Sequence, residues 1–134
     1  KPEGVEITLD ACPDIIFNID RNRLWQICMN LLTNAVKHTK KGSIWFGYTL
    51  EAEEKMIKFY VSDTGCGIPK DELDNIFARF VQLSDFEQGV GLGLAICKGL
   101  VLKMGGNISV MSKEGFGSTF IFTLPMKRPN SWKN

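Results

Sequence analysis

The spacing of apolar residues changes period along this chain, and each change limits what the next stretch can become. From Leu24 onward, apolar side chains fall at 24, 27, 28, 31, 32, 35 and 36, which is one face of an α-helix. Lys40-Lys41-Gly42 ends that helix. Residues 43–50 then alternate, placing Ile44, Phe46, Tyr48 and Leu50 on one side. Residues 56–62 alternate likewise, placing Ile57, Phe59 and Val61 together, so the two runs read as an antiparallel hairpin. After a less regular stretch with a short helix following Pro69, an almost wholly apolar helix covers 92–104 and stops at Gly105-Gly106. A closing hairpin over 107–111 and 118–124 turns around Gly115 and Gly117. Ahead of the first helix, 5–9 and 15–19 read as two short strands turning near Pro13-Asp14, and Asp20 is placed to cap the helix. Such elements bury their apolar faces by stacking in layers. The expected fold is an α+β two-layer sandwich: a mixed, mostly antiparallel sheet with helices on one face.

The 134 residues suffice for one domain with its own core, expected over 1–126, with 127–134 as a polar tail or linker. With 16 Lys+Arg against 15 Asp+Glu, the net charge of +1 supports neither nucleic acid nor direct membrane contact. No apolar run approaches the roughly 18–20 residues that span a bilayer, and no signal peptide opens the chain. The chain begins with Lys1 and reads as a piece excised from a longer protein. Cys12, Cys28, Cys66 and Cys97 are far apart, and the single histidine, His38, leaves no zinc pattern. Reduced thiols in a cytoplasmic domain are expected.

Polar motifs sit at the joints between these elements. In Asn30-Leu31-Leu32-Thr33-Asn34-Ala35-Val36-Lys37, the side chains of Asn30, Asn34 and Lys37 cluster within roughly 60° at the border of the apolar face. Asparagine carbonyls suit an Mg²⁺ that stays mostly hydrated and bound to phosphates, and Lys37 offers those phosphates a point charge. A solvated polar stripe has the same pattern. In Asp63-Thr64-Gly65-Cys66-Gly67-Ile68-Pro69, a carboxylate after a strand can accept from an adenine amine while glycines admit close backbone approach. The same residues also make a good turn. Gly89-Val90-Gly91-Leu92-Gly93-Leu94 opens a helix, whose free amides favour phosphate. It lacks the Walker lysine and serine, and a hinge before a buried helix is its other reading. Phe77, Phe80 and Phe86 suggest a flap with aromatic anchors, in which Arg79 either reaches the terminal phosphate or is a surface charge.

In this order and spacing, the motifs resemble those of the catalytic ATP-binding domain of sensor histidine kinases. That is the Bergerat fold, shared with gyrase-type topoisomerases, heat-shock chaperones and mismatch-repair ATPases. The similarity covers about residues 4–125, with 26–39, 63–69, 77–81 and 89–96 as the N, G1, F and G2 boxes. It implies that Asn34 is the chief Mg²⁺ ligand with Asn30 nearby, that Lys37 meets phosphate, and that Asp63 reads the adenine amine. Gly65, Gly67 and Ile68 would shape the nucleotide cleft. Gly89, Gly91, Leu92, Gly93 and Leu94 would form the phosphate loop, and Thr119 would approach the adenine through water. Residues 71–90 would form the ATP lid, with Phe77 and Phe80 docking on a partner domain.

Val90 stands where the family usually has threonine or serine, and His38 where an aromatic residue is more usual. Asn30 replaces the glutamate with which the ATPase relatives activate water, so transfer to a stronger nucleophile is favoured over hydrolysis. The implied activity is that of a protein-histidine kinase in two-component signal transduction. Its implied partners are a histidine-containing dimerisation domain of the same parent protein and a downstream response regulator receiver domain. Whether the parent is anchored in the inner membrane is open. A serine kinase or ATPase of the same fold, or a non-catalytic nucleotide-gated interaction module, are the alternatives.

Overall fold

The computed structural model describes residues 4–10, 19–51, 53, 55–77 and 90–126. Strand β1 (Val5–Leu9) is followed by helix α1 (Arg21–His38) and the hairpin of β2 (Gly42–Glu51) and β3 (Met56–Asp63). A 3₁₀ segment (Lys70–Asn75), helix α2 (Val90–Lys103) and the hairpin of β4 (Asn107–Lys113) and β5 (Gly117–Pro125) complete the described elements. The strands form one sheet in the order β1-β2-β3-β5-β4. β1 pairs with β2 in parallel, and the other three pairings are antiparallel. The sheet is therefore mixed and mostly antiparallel, as expected.

Alternation decides which sheet face is dry. Ile44, Ile57, Phe59, Val61, Phe120, Phe122 and Leu124 are buried and share one phase of the paired registers. Phe59 and Phe122 face each other directly and stack with centroids 4.7 Å apart. Against this layer α1 supplies Ile27, Leu31 and Ala35, and α2 supplies Leu94, Cys97, Leu100 and Val101. Each Val, Leu, Ile or Phe among them contributes about 1.5–3 kcal/mol on full burial, so this layer dominates the stability. Burial pushes the Cys97 thiol to about 11 and the Cys28 thiol to about 12, which leaves both protonated at neutral pH.

Local chemistry sets where the helices begin and end. Asp20 caps α1 by accepting from the amides of Asn22 and Arg23 at 3.0 and 3.2 Å. α2 ends in a Schellman motif: Gly105 sits at φ +89° and donates to Leu102, while the Gly106 amide donates to Val101 at 2.9 Å. The motif satisfies carbonyls of the last turn of α2 and leads the chain directly into β4. Gly106 also lies directly on the Thr123 carbonyl, leaving no space for a Cβ.

Two expectations change. β1 pairs in parallel with β2, a partner that the reading of its own short run did not name. Of the strand expected over 15–19, 15–18 lie outside the described residues, and Ile19 is not in a strand. α2 starts at Val90 rather than 92, so Gly91 and Gly93 belong to its first turns. No helix among the described residues is long and apolar enough to cross a membrane.

The glycines of α2 and its stop give opposite predictions. Gly99 is exposed and mid-helix, and a methyl added there would have nothing within 4 Å, so Gly99→Ala should stabilise the domain by about 0.5–1 kcal/mol. Gly106→Ala drives a methyl into the backbone of β5 and should destabilise it by more than about 2 kcal/mol. Urea unfolding of both variants checks this contrast.

Candidate functional site

Asp63 is the last residue of β3, flanked in register by Ile44 of β2 and Ser118 of β5. It lies in the same phase as Phe59 and Val61, so its carboxylate continues the core layer and is only 6% exposed. Desolvation by that burial pushes the Asp63 carboxyl above its ordinary value. The amides of Gly65 and Ser118 and the charge of His38 act in the opposite direction but do not cancel it. The Gly65 amide donates to Asp63 Oδ1 at 2.8 Å.

That hydrogen bond requires the chain to turn at once, and the turn is wedged between two elements. A Cβ at Gly65 would strike the His38 carbonyl at the end of α1. Gly67 has φ +74°, and a Cβ there would strike the Lys113 carbonyl at the end of β4. The Cys66 amide donates to His38 O at 3.2 Å, and the Gly115 amide donates to Cys66 O at 2.7 Å. Residues 65–68 are thus pinned between the C-terminal end of α1 and the β4–β5 turn. Cys66 is exposed, with its sulfur 3.9 Å from His38 Nδ1.

One turn before the α1 end on which this loop rests, Asn34 is 9% exposed, and its Oδ1 has no hydrogen-bond partner in the protein. A buried amide oxygen left unpaired costs about 1–3 kcal/mol, which a ligand can recover. A neutral hard oxygen of this kind fits Mg²⁺. Among the described residues, no group of three or more His, Cys, Asp or Glu side chains is placed to hold a metal, so phosphates and water would supply other ligands. Asn30, one turn earlier, spans to α2: its Nδ2 lies 3.5 Å from Gly93 O and its amide hydrogen-bonds the Cys97 sulfur. Lys37 is exposed.

The structure brings Asp63, Gly65, Gly67 and Ile68 together, and ties Asn30 to the first turns of α2, where Gly91, Leu92 and Gly93 lie. Leu94 is a core residue, 3% exposed, so its contribution to a ligand would be limited to backbone. Thr119 is displaced from the expected site. It pairs with Ser62, the two hydroxyls 2.8 Å apart, in the sheet phase opposite to Asp63. Ser118, 8% exposed, holds the position beside Asp63 instead. The phase of Phe120, Phe122 and Leu124 already pointed to Ser118, since alternation puts Thr119 out of step with the core.

Phe77 packs edge-on against Phe120 at 6.1 Å, an anchor within its own domain. Lys98 Nζ lies 5.9 Å from the Phe77 ring centroid. Arg79, Phe80, Phe86 and Gly89 lie outside the described residues. Two residues not named as site residues from the sequence enter the site: Thr39, the last residue of the 26–39 box, buried with an unpartnered Oγ1 against Gly65, and Ser112, outside every motif, whose hydroxyl accepts from the Ile68 amide.

Comparison with known proteins gives the family of the chain. A family model described as histidine kinase-, DNA gyrase B-, and HSP90-like ATPase matches residues 19–128. The chain is 41% identical over 132 residues to hybrid signal transduction histidine kinase B of Dictyostelium discoideum, covering 93% of this chain and 7% of that protein. It is 44% identical over 110 residues to the aerobic respiration control sensor protein ArcB of Escherichia coli K12, covering 78% of this chain and 14% of that one. Among solved structures, full-length ShkA in complex with AMPPNP aligns with a TM-score of 0.83 at 37% identity, covering 94% of this chain and 26% of that chain. The chain therefore spans a small part of the length of each of these relatives.

The raised Asp63 pKa carries a pH prediction. A carboxyl that holds its proton more tightly in the fold than in the unfolded chain adds stability below its unfolded pKa. That contribution is lost as pH rises through the folded value. Asp63→Asn should therefore unfold at higher urea than the parent at pH 7, with the difference closing as pH falls below the ordinary carboxylate range. A parent at least as stable as the variant at pH 7 would contradict the assignment of desolvation as the dominant cause.

Proposed function

The chain belongs to the family of histidine kinase-, DNA gyrase B- and HSP90-like ATPases, and from that premise we propose that it binds Mg²⁺-ATP and presents the γ-phosphate to a histidine on a separate dimerisation domain of its parent protein. The observation that carries this reading is the buried Asp63 carboxylate, held by the loop amides at the end of the helix that bears the unpartnered Asn34 carbonyl. In this reading Asp63 accepts from the adenine amine and the Gly65–Gly67 turn lets the base approach the backbone. Asn34 gives its oxygen to the metal, and Asn30 holds α1 against α2 beside it. Lys37 meets phosphate, as do the amides of Gly91, Leu92 and Gly93, which lie in the first turns of α2 and point toward its N-terminal end. Bound Mg²⁺ would supply charge neutralisation on the phosphates.

Transfer itself asks little covalent chemistry of this chain. An imidazole nitrogen of the partner domain attacks the γ-phosphorus, an N–P bond forms, and the bond to the bridging oxygen breaks to leave ADP. Asn30 cannot accept a proton from water, so hydrolysis has no base at that position. The relatives' names are those of hybrid and sensor kinases, which fits a cytoplasmic catalytic unit, residues 1–126 with a tail at 127–134, working with a receiver domain.

Isothermal titration tests the nucleotide site. Losing one charged hydrogen bond of about 1.5–3 kcal/mol, Asp63→Ala should bind Mg²⁺-ATP roughly 10- to 150-fold more weakly. Asn34→Ala should lose the gain in affinity that Mg²⁺ gives the parent, and an unaltered Mg²⁺ effect would remove Asn34 from the metal.

Labelled ATP tests the reaction. Incubated alone, the chain should take up no acid-labile, alkali-stable label. Mixed with the histidine-bearing dimerisation domain of its parent, it should label that domain. Label on serine, or none on either protein despite tight ATP binding, would replace the histidine kinase reading with one of its alternatives.

A further inference from the structure

Asn30 stands on α1 with its side-chain amide against α2. Its Nδ2 lies 3.5 Å from the Gly93 carbonyl oxygen, and the same side chain hydrogen-bonds the Cys97 sulfur. Cys97 is fully buried, and its own proton goes back to α1, to the Ile27 carbonyl at 3.8 Å. A thiol has one hydrogen, so what the sulfur turns toward Asn30 is a lone pair. The Gly93 carbonyl likewise can only accept. Both groups that α2 sets against Asn30 are therefore acceptors, and only the NH₂ end of the amide can meet them. Its two hydrogens suffice for one each.

Neither anchor is strong alone. The Gly93 contact is at the long limit of a hydrogen bond, and sulfur is a weak acceptor. Together they decide between two orientations of a side chain whose ends differ little in size, since a flipped amide would set its oxygen against two acceptors. The Asn30 oxygen is thereby left facing away from both: the residue is half-buried, and no described residue donates to that oxygen. One turn later on the same side of α1, Asn34 carries its own unpartnered Oδ1. We propose that Cys97 is a positioning residue for the nucleotide site: with the Gly93 carbonyl it holds the Asn30 amide by its nitrogen, so that positions 30 and 34 both offer a carbonyl oxygen to the hydrated metal on the phosphates. This rests on the Mg²⁺-ATP reading above and deepens it. A cysteine that the apolar pattern of α2 marks only as a core filler selects which end of Asn30 a ligand meets.

Two substitutions at Cys97 separate positioning from packing. Cys97→Val fills the core but has no lone pair, whereas Cys97→Ser keeps lone pairs on a smaller, polar side chain. By NMR of the ligand-free chain, the Asn30 Nδ2 hydrogens, identified by their loss in Asn30→Asp, should shift and exchange with water faster in Cys97→Val. They should stay protected in Cys97→Ser. The gain in ATP affinity that Mg²⁺ gives over EDTA, read by titration, should fall about two- to fivefold in Cys97→Val, the worth of one weak hydrogen bond, and hold in Cys97→Ser. A parent-like Mg²⁺ gain in Cys97→Val overturns the inference, whatever the amide shows. An equal loss in both variants is what a packing role produces and overturns it too. Where Cys97→Val does not fold, Cys97→Ala carries the same expectations and the same grounds for rejection. Failure of the underlying reading shows differently: the parent itself then gains no ATP affinity from Mg²⁺, although its Asn30 hydrogens are protected, and the inference falls with that reading.

Discussion

Burying a carboxylate without stabilising partners costs several kcal/mol, and this fold does so at the end of its central hairpin strand. Asp63 occupies a core position by register and a solvent-seeking one by chemistry. The compensation is directional: the amides of Gly65 and Ser118 point at it. The first of these exists only if the chain reverses within two residues of β3. That reversal fits only against the His38 and Lys113 carbonyls, and only without side chains at 65 and 67. The end of α1, the loop after β3 and the β4–β5 turn are therefore mutually determined by one charge. Because the amides do not cancel the desolvation, the carboxylate retains a demand for a further donor, which is what makes the corner a candidate site.

The same demand separates what could be read along the chain from what could not. Asp20 as cap, Gly105-Gly106 as stop, and the alternating runs of β2, β3 and β5 are local signals, and the structure places each where local chemistry puts it. The motif residues Asp63, Gly65 and Gly67 were legible because strand-then-glycine is itself local. The parallel pairing of β1 with β2 was not, since β1 is too short to show a partner and the pairing spans the whole of α1. Phe77 has a neighbour in Phe120 that is 43 positions away (120 − 77), a contact that no spacing encodes. Thr119 is a different case, since it lies in the sheet phase opposite to Asp63. A motif match one residue out of phase puts a side chain on the wrong sheet face, because the side-chain period of a strand is two. The alternation that gave the core could have corrected it.

Asn30 joins the fold to the chemistry. Its side chain donates toward the Gly93 carbonyl and the Cys97 sulfur, tying α1, which bears Asn34, to α2, whose N-terminal amides would meet phosphate in the proposed reading. A glutamate at this position, as in the ATPase relatives, has acceptors where the asparagine has donors. It would face the Gly93 carbonyl with like polarity and repel it. One change of side chain thus removes a base for water and adds a strut between two elements of the site. The phosphate ligands gain a fixed spacing, while the group that would consume the phosphate locally is gone. In the proposed reading, a domain so built would hold its nucleotide for a nucleophile from another domain, and the proton to be removed would travel with that nucleophile rather than with any residue at position 30.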